Sequence, residues 1–265
     1  MLPRPAALPF LVLSLLASPL LHAAEPAPAD PPAGAWATVR ADYARFYSTR
    51  RLIRIGAGFA AGGLVANSDA DEEAREGYLE DVFGAGSDGF SDAVETLGEG
   101  EVVMPLFVAA AFAVGLAPEG PAPSGGATWL RRAGRAYLVG APALYYLQQL
   151  TGGSRPGEPE GSGWDPFHGN HGVSGHAFVG AVPFLTLARQ SRRAPARALA
   201  VAASTLPALQ RLREDEHFLS QVALGWLLAW EATGAVAQAD RSPARPAVAP
   251  LAARDGGGLL LVWRF

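Results

Sequence analysis

The sequence predicts an all-α protein, a helical bundle followed by a small C-terminal β-hairpin. Apolar residues make up 49% of the 265 residues and charged residues only 17%, which excludes a disordered tail protein. Apolar segments of helical length follow one another along the chain, with Pro- and Gly-rich loops between them. Strand-like patterns occur only near the C-terminus. These three observations favour helices packed on helices over a sheet-based fold.

The N-terminal residues have the layout of a secretory signal peptide. A positive start ending at Arg4 precedes an apolar stretch, residues 5–21, and the small residues Ala23 and Ala24 follow. We predict a signal peptide over residues 1–24, with an uncleaved membrane anchor as the alternative. A Pro/Ala-rich leader follows over residues 25–35. The predicted protein is exported to the periplasm, and association with or insertion into the inner membrane stays open.

The remaining chain is predicted to form a helical domain over residues 36–240. Thr128 is a candidate N-cap for one of its helices, and the long polar loop over residues 152–172 is of a length that is usually functional. The tail, residues 241–265, is predicted to form a surface hairpin around a glycine-rich turn. The predicted helices are 36–47, 51–66, 69–83, 88–97, 101–117, 128–150, 174–189, 194–213 and 216–237.

Membrane insertion of these helices is the less favoured alternative. The most apolar run, residues 102–117, would form a helix about 24 Å long. A span usually needs roughly 20 residues. We therefore favour a tightly packed bundle with Ala and Gly contacts over an integral membrane protein.

Composition excludes several kinds of site and partner. The chain has no cysteine, which excludes disulfides, thiolate metal sites and cysteine nucleophiles. All 21 basic residues are arginine, so any chemistry that needs lysine is done otherwise. The formal net charge is −4 and no basic tract is present, so no nucleic-acid partner is predicted.

Two polar clusters near predicted helix ends suit an anion. Arg155 follows the helix over residues 128–150 and carries a planar set of donors that matches phosphate oxygens. Ser174, Gly175 and His176 open an apolar helix, whose N-terminal N–H groups and dipole favour an anion. Taken singly, each also fits a structural role, as a solvated arginine or an ordinary serine cap.

A third cluster joins Arg211 to His217, five residues later, and to Gln221 after three more. His217 and Gln221 are predicted to lie one turn apart on one face of the helix over residues 216–237. The amide of Gln221 can then hold the imidazole in one tautomer while the other nitrogen faces a substrate. A structural histidine at a helix start is the alternative.

Together the three clusters resemble the type-2 phosphatidic acid phosphatase family, whose fold is shared with bacterial acid phosphatases, glucose-6-phosphatase and vanadium haloperoxidases. That family has Lys, six residues, Arg-Pro; then Pro-Ser-Gly-His; then Ser-Arg, five residues, His, three residues, Asp. The resemblance covers residues 101–237, and the joint spacing is more specific than any single motif. Four positions depart from the pattern: Gln148 for Lys, Val173 for Pro, Gln210 for Ser and Gln221 for Asp.

The departure at Gln221 bears most on the chemistry. An aspartate both orients the histidine and stabilises its cation, whereas an amide only orients it. The glucose-6-phosphatase branch looks similar at this point, with glutamine in that slot. Gln148 can still donate a hydrogen bond but brings no charge.

The resemblance implies a metal-independent phosphohydrolase without a cofactor, acting on phosphomonoesters or pyrophosphates. His217 would be the nucleophile that forms a phosphohistidine, oriented by Gln221, and His176 the general acid and base. The implied phosphate-binding residues are Arg155, Arg211, Ser174, Gly175 and Gln148. Apolar helices together with Trp164 and Phe167 favour a lipid-linked phosphate as substrate, with the membrane surface as a further partner.

Two other functions stay open at this point. One is a vanadate-dependent haloperoxidase on the same scaffold, which the missing lysine disfavours. The other is a non-catalytic exported protein that binds phosphorylated headgroups, an option raised by Gln148 and Gln221. His168 and His171 are predicted to line the mouth of the site rather than bind metal, because their spacing fits no zinc pattern.

Overall fold

A computed structural model of the chain describes residues 35–82, 98–115, 125–159, 161–241, 247–253 and 256–262. The predicted signal peptide and nearly all of the leader lie outside the described residues, as does the predicted helix over residues 88–97. The described helices are α1 (Ala35–Phe46), α2 (Thr49–Ala66), α3 (Ala70–Val82), α4 (Gly100–Gly115), α5 (Gly125–Thr151), α6 (Gly175–Gln190), α7 (Ala194–Ala203), α8 (Leu206–Arg213) and α9 (Leu219–Arg241). The all-α class is confirmed.

Helix α9 lies at the centre of the bundle, in contact with α1, α2, α5 and α6. Its sequence is apolar on nearly all faces, a pattern typical of a helix with neighbours on every side. Gly225 lets α6 begin against this helix, because a Cβ there would lie 2.2 Å from the carbonyl oxygen of Ser174. The largest fully buried apolar side chains of the core are Trp226, Tyr137, Phe46, Phe178, Phe218, Leu185 and Leu228.

A proline inside α6 frees a carbonyl group that a tyrosine then binds. Pro183 has no N–H, so the carbonyl of Val179 one turn earlier lacks its helical donor. The hydroxyl of Tyr137, in α5, donates to that carbonyl at 2.8 Å. Tyr137 is buried, so its hydroxyl replaces the missing bond where water has no access.

The same device recurs in α5. Pro142 removes the donor to the carbonyl of Leu138, and the hydroxyl of Tyr43, from α1, donates to it at 2.8 Å. In each case a tyrosine from a neighbouring helix allows a proline inside a buried helix. These two bonds also fix how α1, α5 and α6 are placed relative to one another.

Three predicted helix boundaries are wrong. Helix α5 begins at Gly125, so Thr128 is inside the helix and is no N-cap. The predicted helix over residues 194–213 is two helices, α7 and α8. The hydroxyls of Ser204 and Thr205 donate to carbonyls of the preceding turn. Pro207 has no N–H and so cannot continue the hydrogen bonds of α7. Helix α9 begins at Leu219 instead of residue 216.

Two strands follow the helices, β1 (Ala247–Ala253) and β2 (Gly256–Val262), paired antiparallel with Ala247 opposite Val262. The side chains of this segment are outside the described part of the molecule. The predicted surface hairpin, with its glycine-rich turn, therefore stays a prediction.

The most apolar predicted run forms α4, which packs mainly against α5 and leaves Val102, Leu106 and Phe112 exposed. Within the described ranges, no helix is both long enough and apolar enough to cross a membrane. Export and membrane association stay predictions.

Candidate active site

The loop between α5 and α6 brings Arg155 to the site. Gly152 begins this loop with φ +61°, and a Cβ there would lie 1.8 Å from the carbonyl oxygen of Asp165. Only glycine tolerates both the backbone angle and the close approach. Gly153 then pairs with Gly169, so the loop folds back on itself and returns the chain to the start of α6.

The turn between α8 and α9 places Arg211 and His217 in the same site. Helix α8 ends in a Schellman motif, in which the N–H of Asp215 donates to Leu212 O (3.2 Å) and that of Glu216 to Arg211 O (3.0 Å). Asp215 has φ +57°, a conformation that a short polar side chain accepts more readily than most. His217 therefore precedes α9, and the prediction that it lies on the helix with Gln221 is wrong.

Gln221 fixes the tautomer of His217 through backbone groups whose roles are unambiguous. Its Nε2 donates to the carbonyl oxygen of Ser154 at 2.8 Å, and its Oε1 accepts from the N–H of Phe218 at 3.3 Å. The amide therefore turns Oε1 towards His217 Nδ1, 2.7 Å away. Because Oε1 can only accept a hydrogen bond, the proton of the neutral imidazole is on Nδ1. Nε2 of His217 therefore carries the lone pair.

Burial keeps His217 neutral. The residue is 5% exposed, and desolvation lowers the pKa of its imidazole to about 3; the bond to Gln221 opposes this shift and the charge of Arg211 adds to it. An aspartate at position 221 would favour the imidazolium, whereas the amide adds no charge. The structure thus presents a neutral imidazole with its lone pair on Nε2, the form in which histidine is a nucleophile.

The start of α9 is capped by a carboxylate from another helix. Asp71, in α3, accepts from the N–H of Ser220 at 3.0 Å and from its hydroxyl at 2.5 Å. Burial raises the pKa of this carboxyl group. Asp71 lies in the first turn of its own helix, where a carboxylate is favoured, and also caps α9. Because Ser220 directly precedes Gln221, this contact supports the position of the site's key amide.

Arg155 and Arg211 meet at one carboxylate. Glu216 Oε2 accepts from Arg155 NH1 and lies 3.2 Å from Arg211 NH2. Arg211 is 5% exposed and also donates to Glu214 at 2.9 Å. The two arginines predicted to hold phosphate therefore converge, and a glutamate that sequence reasoning missed lies between them. Its position directly before His217 was the only signal in the sequence.

Ser174 is the N-cap of α6, which was the structural alternative to its predicted role in binding phosphate. Its Oγ accepts from the N–H of Ala177 at 3.3 Å. Its own N–H donates to the carbonyl of Gln221 at 2.9 Å, so the start of α6 is bound directly to the first turn of α9. The helix N-terminus of the second motif and the histidine of the third are therefore joined by backbone contacts.

Gln148 supports the chain just before α6. Its Nε2 donates to the carbonyl of Val173 at 2.9 Å, and a Cβ on Gly175 would lie 3.5 Å from the same nitrogen. The amide thus lies beside the predicted anion-binding residues Ser174 and Gly175. One of the two N–H donors of Gln148 is therefore used in a hydrogen bond within the protein.

His176 lies in the field of the same arginines as His217. Burial, together with the charges of Arg211 and Arg155, lowers the pKa of His176 to about 4. These two arginines also lower the pKa of His217. Gly98 packs on the imidazole, since a Cβ there would lie 2.8 Å from His176 Cδ2. Both predicted catalytic imidazoles thus share one pair of guanidinium groups.

The two remaining loop histidines differ in position. The ring of His171 lies 6.1 Å from that of His217, and burial together with the charge of Arg155 lowers the pKa of His171. His168 is exposed and its Nδ1 lies 3.1 Å from a carboxylate oxygen of Asp165. In the described part of the chain, no three or more His, Asp or Glu side chains are grouped so as to hold a metal ion.

The comparisons with known proteins concern the segment that holds this site. Residues 139–241 match the model of the PAP2 superfamily, and all predicted site residues, from Gln148 to Gln221, lie within that range. Comparisons with curated proteins and with solved structures give no significant match. The resemblance drawn from the three motifs is therefore confirmed by a match to the PAP2 superfamily over residues 139–241.

Proposed function

We propose that the protein is a phosphohydrolase that cleaves phosphomonoesters or pyrophosphates through a phosphohistidine on His217. The match of residues 139–241 to the PAP2 superfamily supports phosphatase activity. One observation carries the mechanism: the amide of Gln221 leaves the lone pair of His217 on Nε2, beside two convergent arginines. A neutral nucleophile next to fixed cations is what phosphoryl transfer needs.

In the first step, Nε2 of His217 attacks phosphorus and the bond from phosphorus to the leaving oxygen breaks. Arg155 and Arg211 bind the equatorial oxygens, on which negative charge is spread. The N–H groups at the start of α6, at Gly175, add donors on the same side. His176 gives its proton to the leaving oxygen, so an alcohol or a phosphate departs without a full negative charge.

In the second step, His176 takes a proton from water, whose oxygen attacks the phosphohistidine. The P–N bond breaks, inorganic phosphate leaves and His217 returns to its starting form. The pKa of about 4 makes His176 neutral in the described structure at pH 7. A bound phosphate dianion opposes the field of Arg155 and Arg211, so it raises the pKa of His176 and supplies the acid for the first step.

The substrate class that we propose is a phosphomonoester or pyrophosphate carried on a lipid. The exposed side chain of Phe167 on the active-site loop supports an apolar substrate portion. Trp164 supports it less than the sequence suggested, because its ring packs against Phe59 and Gly63 of α2. Comparing the hydrolysis of a lipid phosphate with that of a soluble phosphomonoester of the same headgroup shows whether the lipid portion contributes to recognition.

The test is hydrolysis of a chromogenic phosphomonoester by the mature chain with a chelator present. We expect turnover that is lost, by about 100-fold or more, in His217→Ala and in His176→Ala. The control is His168→Ala, at an exposed position in the loop between α5 and α6, and we expect this variant to keep its activity. Quenching the wild type with denaturant at alkaline pH, with a labelled substrate, traps a phosphoryl group that is released on later exposure to acid, and His217→Ala lacks this group.

Full turnover in His217→Ala would reject the nucleophile. Binding of phosphate without turnover in the wild type would instead support the non-catalytic alternative. Oxidation of bromide by peroxide with added vanadate would support the haloperoxidase alternative.

A further inference from the structure

We propose that Glu216 determines how tightly this site binds a phosphate group, by competing for the arginine donors. The inference rests on the proposed function, in which Arg155 and Arg211 bind phosphate oxygens. It names a residue outside the three motifs, since Glu216 lies in the five-residue interval between Arg211 and His217.

The contacts of Glu216 are those that a phosphate oxygen would make. A single carboxylate oxygen, Oε2, accepts from NH1 of Arg155 and lies 3.2 Å from NH2 of Arg211. Guanidinium groups bind carboxylates and phosphates through the same N–H donors and with similar geometry. A phosphate that takes these two donors must therefore displace Glu216 from them.

The charges at the site also indicate that phosphate binds well only after it displaces Glu216. Arg155 and Arg211 bring two positive charges, and the carboxylates of Glu214 and Glu216 bring two negative ones in direct contact with them. The four groups together are neutral, so a phosphate dianion gains little from them while Glu216 stays in place. When Glu216 withdraws, one net positive charge is exposed to the anion.

Glu216 is able to withdraw. Its backbone is fixed by the hydrogen bond to Arg211 O, but its side chain keeps 33% of its surface exposed. The carboxylate can therefore rotate into water without a change in the turn, and solvation offsets part of the lost ion pairing. Glu214 differs, because it contacts Arg211 and Gln210 and makes no bond to Arg155.

The site is thereby selective for anions that use both arginines at once. A phosphomonoester or a terminal pyrophosphate offers several charged oxygens and can replace the carboxylate on both guanidinium groups. A phosphodiester, with one charge and two esterified oxygens, replaces it less well. Displacing Glu216 from the arginines costs free energy. Doubly charged terminal phosphates regain it through their own contacts with both guanidinium groups, and phosphodiesters do not.

The experiment compares Glu216→Gln with the wild-type chain, using inorganic phosphate in calorimetry and a chromogenic phosphomonoester in kinetics. We expect the dissociation constant of phosphate to fall by about tenfold or more in Glu216→Gln, with the Michaelis constant falling in parallel. We also expect the preference for a phosphomonoester over a chromogenic phosphodiester to shrink. A purely structural role would not tighten phosphate binding.

Glu158→Gln is the matched control. Glu158 is exposed in the same loop and accepts from the backbone N–H of Arg155 at 2.9 Å, so its loss removes one nearby charge without touching the described guanidinium contacts of Glu216. An equal gain in both variants would mean that net charge alone acts, and it would overturn the proposal.

The outcomes also separate this inference from the proposed function. Unchanged or weaker phosphate binding in Glu216→Gln, with turnover present, would overturn the inference alone. Tighter binding in that variant without turnover in any chain would overturn the proposed hydrolysis and leave Glu216 as the competing anion. Failure of both chains to bind phosphate would reject both.

Discussion

At the scale of single residues, Gln221 performs a task that the aspartate of the family pattern cannot. Its Nε2 donates to Ser154 O and its Oε1 accepts from His217 Nδ1, so one amide joins the loop of Arg155 to the imidazole of His217. A carboxylate offers no donor to Ser154 O. The substitution that looked damaging in the sequence therefore exchanges charge stabilisation for a fixed orientation.

This exchange predicts the behaviour of Gln221→Glu. The new carboxylate keeps the length of the side chain, stabilises the imidazolium and raises the pKa of His217 by more than one unit. It also leaves Ser154 O without this donor, which costs about 1–3 kcal/mol of stability. The pKa is measured by NMR titration of the imidazole protons and the stability by urea unfolding.

Gln238→Glu makes the same change farther along α9, where the side chain accepts from Arg51 at 3.1 Å. We expect the pKa of His217 to stay unchanged in that variant. A pKa of His217 that does not move in Gln221→Glu would contradict the assigned hydrogen bond, and with it the tautomer.

At the scale of elements, the prolines of α5 and α6 are tolerated because tyrosines bind the carbonyls that they free. Tyr137 binds Val179 O, opposite Pro183, and Tyr43 binds Leu138 O, opposite Pro142. Neither pairing could be predicted from the sequence, because the partners are 42 and 95 residues apart. The helices themselves were predictable, since their lengths and apolar runs are local features.

A double-mutant cycle tests the pairing in α6. Tyr137→Phe leaves a buried carbonyl unpaired and should lower the free energy of unfolding by about 1–3 kcal/mol. In a Pro183→Ala background the new N–H can bind Val179 O, so the same change should cost clearly less. Urea unfolding of the four chains gives the coupling, and equal losses in both backgrounds would show that the hydroxyl has another role.

Contacts between elements also explain which site residues the sequence could reveal. Motif spacing selects His217, His176, Arg155 and Arg211 as candidates, because it reflects local geometry that the family shares. Asp71 reaches the candidate site from α3, and nothing in its local pattern indicates this. Glu216 lies in the interval between Arg211 and His217 and was missed, because the family pattern assigns no identity to its position.

At the scale of the whole molecule, the buried imidazole of His217 and the partly buried imidazole of His176 make folding depend on pH. The pKa of His217 is lowered to about 3 and that of His176 to about 4, whereas both are near 6.5 in the unfolded chain. Below pH 6.5 the unfolded chain therefore binds more protons than the folded one. Stability contributed by these groups is complete above pH 6.5 and is lost as the pH falls towards these values.

We expect the free energy of unfolding to fall between pH 7 and pH 5 by up to about 1.4 kcal/mol per pH unit for each histidine. A His176→Ala/His217→Ala chain should show a flatter dependence over this interval. Between pH 7.5 and 8.5 the two chains should have the same slope, which controls for other groups. Parallel curves from pH 7 to pH 5 would contradict the lowered pKa values.

The Schellman turn at Asp215 has a kinetic consequence. Because Glu216 and His217 are adjacent in a turn held by two backbone hydrogen bonds, the carboxylate that covers the arginines can move without moving the imidazole of His217. If phosphate displaces Glu216, as we propose, a substrate is admitted by the rotation of one partly exposed side chain out of two ion pairs. Rotations of exposed side chains take picoseconds to nanoseconds, so we expect this rotation, although slowed by the ion pairs, to be far faster than a typical turnover, and bond cleavage or product departure to limit the rate.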